Sequence, residues 1–168
     1  MHLAIPLTVS YSYSYSQING TRAGAPPTSG GANIEFGGAN SDQLIEFVHS
    51  FDPRSWSCLH LFEGGLQCNN ATVQNNEIGP AGSDAFQEWA DGISVACNNS
   101  LIRNNLINNP TDGGIVLFGA PGTRVENNTI WVETVRGVTW MICSFHLTML
   151  HLAASSTWWH QHGRRPAI

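Results

Sequence analysis

The chain has 168 residues, 42% of them hydrophobic, a length that suits one domain with a buried core. It contains no lysine, seven arginines and twelve acidic residues, so its net charge is −5. Nucleic-acid-binding surfaces neutralise phosphates with clustered basic side chains, so this composition argues against a nucleic acid as partner.

The N-terminal segment, residues 1–32, differs in composition from the central part of the chain. Residues 1–9 are apolar but lack a basic start and a clear small-residue cleavage site. Residues 10–32 are rich in Ser, Tyr, Gly and Pro, a composition typical of an irregular segment. We therefore expect 1–32 to be a signal remnant or a loose N-terminal arm.

A repeated pattern, Val/Ile-x-Asn-Asn-x-Ile, occurs at Val73–Ile78, Ile102–Ile107 and Val125–Ile130, with spacings of 29 and 23 residues. Such periods match one coil of a solenoid, in which each coil buries its apolar residues against the next. The alternating apolar residues would point inward, and the Asn pair would turn a corner. Asparagine tolerates left-handed backbone, and stacked Asn side chains can form a hydrogen-bonded ladder.

Further short strands complete each coil. Asp91–Val95 and Asp112–Leu117 share an Asp-Gly-Ile or Asp-Gly-Gly-Ile start and each precede an Asn-pair segment. Earlier segments that also read as strands, in an ambiguous register, are Asn33–Phe36, Leu44–Val48 and Leu59–Phe62. The sequence thus predicts an all-β chain whose residues 33–138 form a parallel β-helix of four to five coils.

Two cysteines share a local context, because Cys68-Asn69-Asn70 recurs as Cys97-Asn98-Asn99. On neighbouring coils their backbones would lie about 4.8 Å apart, which permits a disulfide. Two buried thiols stacked in the core are an equally good interpretation. The four cysteines, at 58, 68, 97 and 143, allow three complete pairings.

N-glycosylation sequons begin at Asn19, Asn70, Asn98 and Asn127, which favours a secreted, extracellular glycoprotein. The alternative is that an Asn-rich repeat followed by Ser or Thr produces such triplets by chance.

The C-terminal segment, residues 139–168, is an atypical tail. It has no acidic residue and no Asn, and it holds three of the six tryptophans. It is either an improvised cap over the last coil or the product of an altered reading frame or retained intron.

Residues 138–154 of this region are largely apolar but short for a bilayer span, so no membrane span is predicted. The histidines of the tail lack Cys or carboxylate partners at fixed spacing, so no metal site is predicted, and no cofactor is expected. These histidines are His146, His151, His160 and His162.

The Asn-Asn coils and the Asp-Gly-Ile strands resemble the right-handed parallel β-helix proteins of the pectin-lyase-like superfamily, over about residues 34–138. That superfamily includes polygalacturonases, polysaccharide lyases and uronate epimerases, as well as adhesins and tail spikes. The resemblance implies a right-handed β-helix whose active groove runs along one parallel sheet and its loops. In this chain that groove would follow the Asp-Gly-Ile strands.

Several acidic residues fall on this surface. Asp91 and Asp112 begin strands, the loop before Asp91 contains Asp84 and Glu88, and Glu63 would stack with both aspartates if one residue were deleted after it. The distances between carboxylates one coil and two coils apart would bracket those between the two catalytic carboxyls of glycosidases. Crowding of like charges would also raise the pKa of one of these carboxyls. We therefore expect Asp91 and Asp112 to act as acid and base, with Asp84 and Glu88 assisting. The alternative is that each Asp before Gly is ordinary turn chemistry.

Substrate-binding candidates surround these acids. Trp89 and Trp56 offer flat platforms for sugar rings, and Arg54, His60 and Glu63 lie beside the predicted groove. A lone His such as His60 is either a base or a structural residue. The absence of lysine favours hydrolysis over lyase-type elimination, although Thr111-Asp112-Gly113 resembles only part of a polygalacturonase motif.

The sequence therefore predicts a secreted glycoside hydrolase or polysaccharide lyase, hydrolysis being preferred, that acts on a uronate-containing or other plant or microbial cell-wall glycan. The alternative is a noncatalytic carbohydrate-binding or structural β-helix protein, which would include a truncated gene product.

Overall fold

The computed structural model describes residues 16–20, 31–62, 68–83 and 89–133, together with the backbone of 147–148. Within these ranges the chain consists of short β-strands joined by turns and contains no helix. The strands in chain order are β1 Ser16–Asn19, β2 Ala32–Gly37, β3 Leu44–Glu46, β4 Val48–Phe51, β5 Ser57–Phe62, β6 Thr72–Gln74, β7 Glu77–Ile78, β8 Asp91–Val95, β9 Leu101–Arg103, β10 Leu106–Asn108, β11 Ile115–Leu117, β12 Arg124–Glu126, β13 Thr129–Trp131 and β14 Leu147–Thr148.

Every third strand joins the same sheet, which is the topology of a three-sided solenoid. Sheet 1 has the order β1-β4-β7-β10-β13, sheet 2 the order β2-β5-β8-β11, and sheet 3 the order β3-β6-β9-β12 followed by β14. All of these pairings are parallel except that of β14 with β12. Three successive strands make one coil, so four coils precede β13, and the predicted parallel β-helix of four to five coils is confirmed.

The core is a set of aliphatic rows that run through successive coils. In sheet 2, Leu59 pairs in register with Ile93, and both side chains are fully buried. Val73 and Ile102 form the equivalent buried row in sheet 3. Since no coil covers its own apolar side chains, each coil is stabilised by hydrophobic burial against its neighbours.

The Asn pairs form the corner between sheet 3 and sheet 1, as the repeat predicted. The first Asn of each pair has a left-handed backbone, with φ of 56° at Asn75 and 54° at Asn104. The second Asn points inward: Asn76 donates from Nδ2 to Asn105 Oδ1 at 3.0 Å, and Asn105 donates in the same way to Asn128 at 2.9 Å. The buried ladder therefore ties three coils together.

The first coil makes the same corner without asparagine. Phe47 has a φ of 56° at the position of the left-handed Asn, and the backbone N–H of Val48 donates to Asn76 Oδ1 at 3.0 Å. A bulky residue with positive φ is rare. The stacking of the next coil thus keeps the corner conformation where the local sequence does not favour it.

Two strands lie outside the predicted β-helix segment 33–138. Residues 16–19, in the predicted N-terminal arm, form β1, which pairs in parallel with β4. Residues 147–148, in the atypical tail, form β14, which pairs antiparallel with β12. Both strands lie at the edge of a sheet, where unpaired backbone groups favour addition of a further strand.

Cys68 and Cys97 form a disulfide, with their Cα atoms 4.8 Å apart on adjacent coils. Of the two interpretations left open by the sequence, the structure thus contains the bonded one. Cys58, which does not take part in this disulfide, is fully buried in sheet 2.

Candidate functional site

The outer face of sheet 2 concentrates polar and aromatic side chains, and we call it the sheet 2 face. Ile34, Leu59 and Ile93 of successive strands point into the core. Side chains alternate along a strand, so the next residues face outward. One outward row contains Glu35, His60, Ser94 and Val116, and a second row, two residues further along the strands, contains Phe62, Ala96 and Phe118.

The connections that lead into and out of sheet 2 differ most in length from one coil to the next. Residues 79–90 connect β7 to β8, whereas 109–114 make the equivalent connection one coil later. After sheet 2, residues 63–71 connect β5 to β6, whereas the equivalent connection one coil later, from β8 to β9, is the shorter segment 96–100. The corner between sheets 3 and 1 stays tight throughout. Loops of variable length on a rigid scaffold are where binding and catalytic groups concentrate.

Asp91 begins β8 and is 7% exposed. Its Oδ2 lies 2.8 Å from Ser94 Oγ, and its Oδ1 accepts a hydrogen bond from the Gly113 N–H at 2.9 Å. Burial raises the pKa of the Asp91 carboxyl above its ordinary value, the two hydrogen bonds lower it, and the charge of Asp112 raises it further. The net effect is a raised pKa, so Asp91 holds its proton to a higher pH than a solvated aspartate.

Asp112 is exposed, and its alignment with Asp91 differs from the prediction by one residue. Ile115 pairs with Ile93, which aligns Gly113 with Asp91 and places Asp112 beside Ala90. The expected direct stacking of Asp91 over Asp112 is therefore wrong, although the two carboxylates interact electrostatically.

Glycine sets this register. A Cβ at Gly92 would lie 2.7 Å from Cγ2 of Ile107, and one at Gly114 would lie 2.8 Å from Cγ2 of Ile130. Both positions face the core and exclude a side chain, so Gly114, and not Gly113, is the equivalent of Gly92. In the preceding coil Ser57 pairs with Asp91. The predicted alignment of Glu63 with Asp91 is therefore also wrong.

His60 lies at the centre of the face and is 6% exposed. Its Nδ1 is 3.4 Å from Oε1 of Glu35 on the preceding coil. The ring of Trp56 packs edge-on against it with centroids 4.6 Å apart, and that of Phe62 lies 5.7 Å away. The charge of His60 also acts on the Asp91 carboxyl and lowers its pKa.

Two hydroxyls link these groups. Ser94 Oγ lies 3.1 Å from Ser57 Oγ, and Ser57 donates to the backbone oxygen of Leu59 at 2.8 Å. Because Ser57 gives its proton to Leu59, the single Ser94 proton is shared between Ser57 Oγ and Asp91 Oδ2. Glu35 and these serines were not identified from the sequence, because the register of the first strands was ambiguous there.

The remaining predicted site residues fall into two groups. Trp89 is 59% exposed beside the buried Ala90, and Trp56 and Arg54 are half-buried in the segment before β5. Asp84, Glu88 and Glu63 lie outside the described residues. The described structure therefore brings together Asp91, Asp112, His60 and Trp56.

Among the described residues, no cluster of three or more His, Cys, Asp or Glu side chains could hold a metal ion. The described part of the chain also contains no helix long and apolar enough to cross a membrane.

The predicted sequons differ in their surroundings. Asn19, Asn70 and Asn127 are exposed, and Asn70 donates from Nδ2 to Asp42 Oδ1. Asn98 is half-buried next to the disulfide, and its Oδ1 is enclosed. Of the four, Asn98 has the least accessible side-chain amide.

Comparison with known proteins gives one family. The sequence profile described as right-handed β-helix region matches residues 57–151, more than half of the chain, and includes the whole of β5 to β14. Neither the curated proteins nor the solved structures contain a match to this chain. The match agrees with the resemblance to the pectin-lyase-like superfamily, and with the parallel coils of the structure it shows that the chain belongs to the right-handed β-helix family.

Proposed function

We propose that this protein binds a polysaccharide along the sheet 2 face and hydrolyses a glycosidic bond there, with Asp91 as general acid and Asp112 as base. The observation that carries the proposal is the unequal pair of carboxyls: Asp91 is buried with a raised pKa, and Asp112 beside it is exposed. Two carboxyl groups in contrasting environments are what acid and base catalysis of glycoside cleavage needs.

The chemistry can be assigned to these two residues. The protonated Asp91 donates its proton to the glycosidic oxygen as the bond between that oxygen and the anomeric carbon breaks. A water molecule then attacks the anomeric carbon and gives its proton to Asp112. Ser94 and the Gly113 N–H hold the Asp91 carboxyl in place.

An extracellular location is part of the proposal. A disulfide between adjacent coils and exposed sequons at Asn19, Asn70 and Asn127 are features that suit an oxidising, secretory environment. Production in a eukaryotic secretory host, followed by enzymatic removal of N-glycans, should lower the mass of the protein. An unchanged mass would contradict glycosylation.

The test is release of reducing ends from a panel of uronate-containing and neutral polysaccharides. We expect Asp91→Asn and Asp112→Asn each to reduce the rate at least about 100-fold, the usual contribution of acid or base catalysis. Glu77→Gln, on the outer face of sheet 1, is the matched control and should keep the wild-type rate. Retained activity in both aspartate variants would remove them from the mechanism.

A noncatalytic carbohydrate-binding protein is the second candidate. It is favoured by one observation, namely that both carboxylate oxygens of Asp91 already have partners within the protein. In that case the wild-type protein binds a polysaccharide of the panel without releasing reducing ends, and Asp91 has a structural role only.

A further inference from the structure

The N-terminal end of the solenoid exposes one edge of each of the three sheets. β1, β2 and β3 are the terminal strands of sheets 1, 2 and 3, and within the described ranges no strand pairs with their outer edges. At the other end of the molecule, sheet 3 has accepted an additional antiparallel strand, because β14 pairs with β12. An edge with unpaired N–H and C=O groups is a template for such an addition.

The sequence of these three strands does little to prevent pairing. Proteins protect sheet edges with lysine, with proline, or with charged side chains that point inward. The chain contains no lysine, and β1, β2 and β3 contain no proline. Their charged residues are Glu35 and Glu46, which follow the core residues Ile34 and Ile45 and so point outward. The N-terminal edge is therefore open to pairing.

Hydrogen bonds to the neighbouring coil show which residues face the open side. The Ser16 N–H donates at 3.0 Å to the backbone oxygen that precedes β4, so the next residue, Gln17, directs its N–H and C=O to the open side. Before β3, the Gln43 oxygen accepts from the Thr72 N–H at 2.8 Å. Because backbone groups alternate in direction along a strand, Glu46, three residues later, also faces the open side.

The core residues of the same strands agree with this pattern. Ile45 is 4% exposed in the core, and Ile18 of β1 packs against the core from its own coil. An antiparallel pairing of β3 with β1 of a second copy that places Ile45 opposite Ile18 also places Glu46 opposite Gln17. The residues that face the open side then oppose each other as a hydrogen-bonded pair, while both isoleucines stay inside. Burial and hydrogen bonding thus require the same register.

The rise of the coil makes this end complementary to itself. The chain reaches the three edges in the order β1, β2, β3, and one full coil rises by one strand spacing, about 4.8 Å. β2 therefore lies about midway between β1 and β3 along the solenoid axis. A two-fold axis perpendicular to sheet 2, beside β2, brings β2 to one strand spacing from its own copy. The same axis brings β3 to one strand spacing from β1 of the second copy.

We propose that two copies of this chain form a dimer through their N-terminal ends, in which β2 pairs antiparallel with β2 of the second copy and each β3 pairs antiparallel with β1 of the other. A second copy is the partner that fits, because the two-fold axis gives all three open edges a partner at once. Such an interface is isologous, so it closes at two subunits and does not propagate into a fibre. The inference does not depend on the proposed polysaccharide binding or hydrolysis.

The first experiment measures the mass of the full chain by sedimentation equilibrium over a concentration series. We expect a monomer–dimer equilibrium without larger species. Gln17→Pro should weaken the dimer at least about tenfold, because it removes an N–H that faces the second copy and is not used by β4. Gln17→Ala is the matched control: it keeps that N–H and should change the affinity less than about threefold.

A second experiment tests the register and does not require the proline variant to fold. Gln17→Cys and Glu46→Cys are produced separately, mixed and oxidised. Opposing residues of an antiparallel pair are close enough for a disulfide, so the mixture should give a covalent dimer with one chain of each variant. Neither variant alone should give it, because identical positions do not oppose each other. In the control mixture Glu77→Cys, on sheet 1 two strands from the end, replaces Gln17→Cys and should not cross-link.

Glu35 tests the position of the two-fold axis. The axis beside β2 brings the Glu35 carboxylates of the two copies close together on the outer face, where Glu35 Oε1 also lies 3.4 Å from His60 Nδ1. Like charges on paired strands are destabilising, so Glu35→Gln should tighten the dimer about threefold. Glu46→Gln is the matched control, since Glu46 opposes the neutral Gln17, and it should leave the affinity within about twofold.

Three results would overturn the proposal. A monomer at every concentration does so, and so does a series of ever larger oligomers, which indicates head-to-tail stacking. A dimer that tolerates Gln17→Pro and gives no mixed disulfide has its interface elsewhere. A dimer that Glu35→Gln weakens or leaves unchanged does not have its two-fold axis beside β2.

Discussion

The chemistry of the sheet 2 face depends on how individual side chains are oriented by residues on adjacent coils. Asp91 obtains one hydrogen bond from its own strand and one from the next coil, and His60 contacts Glu35 of the preceding coil. Residues far apart in sequence thus act on one another because the coils are stacked in register. This explains why local motifs located Asp91 and His60 but not Glu35.

The raised pKa of Asp91 predicts a pH-dependent stability. The folded protein keeps the Asp91 proton at pH values above 3.8, the ordinary pKa of this side chain. The contribution of Asp91 to the free energy of unfolding therefore falls as the pH rises from 3.8 through the raised pKa of the folded state. Asp91→Asn should remove this contribution. Urea unfolding free energies from pH 3.5 to 7 should therefore diverge between wild type and variant as pH rises, in favour of the variant.

Asp42→Asn is the control for removal of one carboxylate, because Asp42 is exposed on the connection between β2 and β3. The comparison separates the effect of burial at Asp91 from that of removing one negative charge. A wild-type minus Asp91→Asn difference that is constant with pH would contradict the burial argument.

The contact between Glu35 and His60 predicts the tautomer of the histidine. Among the two neutral tautomers, a carboxylate acceptor facing Nδ1 favours the one with its proton on Nδ1, which leaves Nε2 as an acceptor. Nitrogen-15 chemical shifts should report this tautomer, and Glu35→Ala should shift the population towards the Nε2 proton. Glu77→Ala, which removes the partner of His49 at 3.9 Å, should leave His60 unchanged.

At the scale of the elements, the repeat pattern predicted the Asn corner correctly but identified only three of the four copies in the described coils. The three Asn pairs could be read because the left-handed residue and the buried ladder residue are both asparagine. The same corner at Phe47 and Val48 has no such signal, since tertiary stacking overrides local preference. The Asp-Gly strands were misaligned because only core packing distinguishes Gly113 from Gly114.

The ladder predicts that Asn→Ala substitutions differ in how much they lower the free energy of unfolding. Asn105→Ala should lower the free energy of unfolding by about 3 kcal/mol, because it removes the acceptor of the Asn76 backbone N–H, the acceptor of one of the two Asn76 Nδ2 hydrogen bonds, and the side-chain donor to the oxygen of Val73. Asn69→Ala removes only an exposed side-chain contact with Asn99 and should cost less than about 1 kcal/mol. Chemical denaturation of both variants checks this, and equal losses would be inconsistent with a buried ladder.

For the whole molecule, composition and period predicted the solenoid and its number of coils, because a stacked repeat leaves a regular trace in sequence. They did not predict its ends. The edge strands β1 and β14 lie in segments whose composition differs from the repeat, and their pairing depends on a neighbouring strand and not on local pattern. The candidate residues of the Asp-Gly strands lie on or beside sheet 2, but their alignment between coils could be read only from the structure.

The disulfide predicts how strongly the coils are coupled. Cys68 and Cys97 are 29 residues apart, and closing such a loop in the unfolded chain stabilises the fold by about 3 to 4 kcal/mol. A Cys68→Ala/Cys97→Ala variant should lose that amount in urea unfolding. Dithiothreitol should destabilise the wild type and leave the variant unchanged. Equal responses of both proteins to the reductant would contradict the prediction.

The unequal lengths of the coils have a consequence for how this protein can change. Ladder partners are 28, 29 and 23 residues apart, yet the strands remain aligned, so the difference is absorbed where chain enters or leaves sheet 2. Insertions and deletions at those two margins can therefore change the lengths of the connections into and out of sheet 2 while the ladder stays aligned. Such changes would alter the surroundings of the sheet 2 face and leave the buried rows of the core intact.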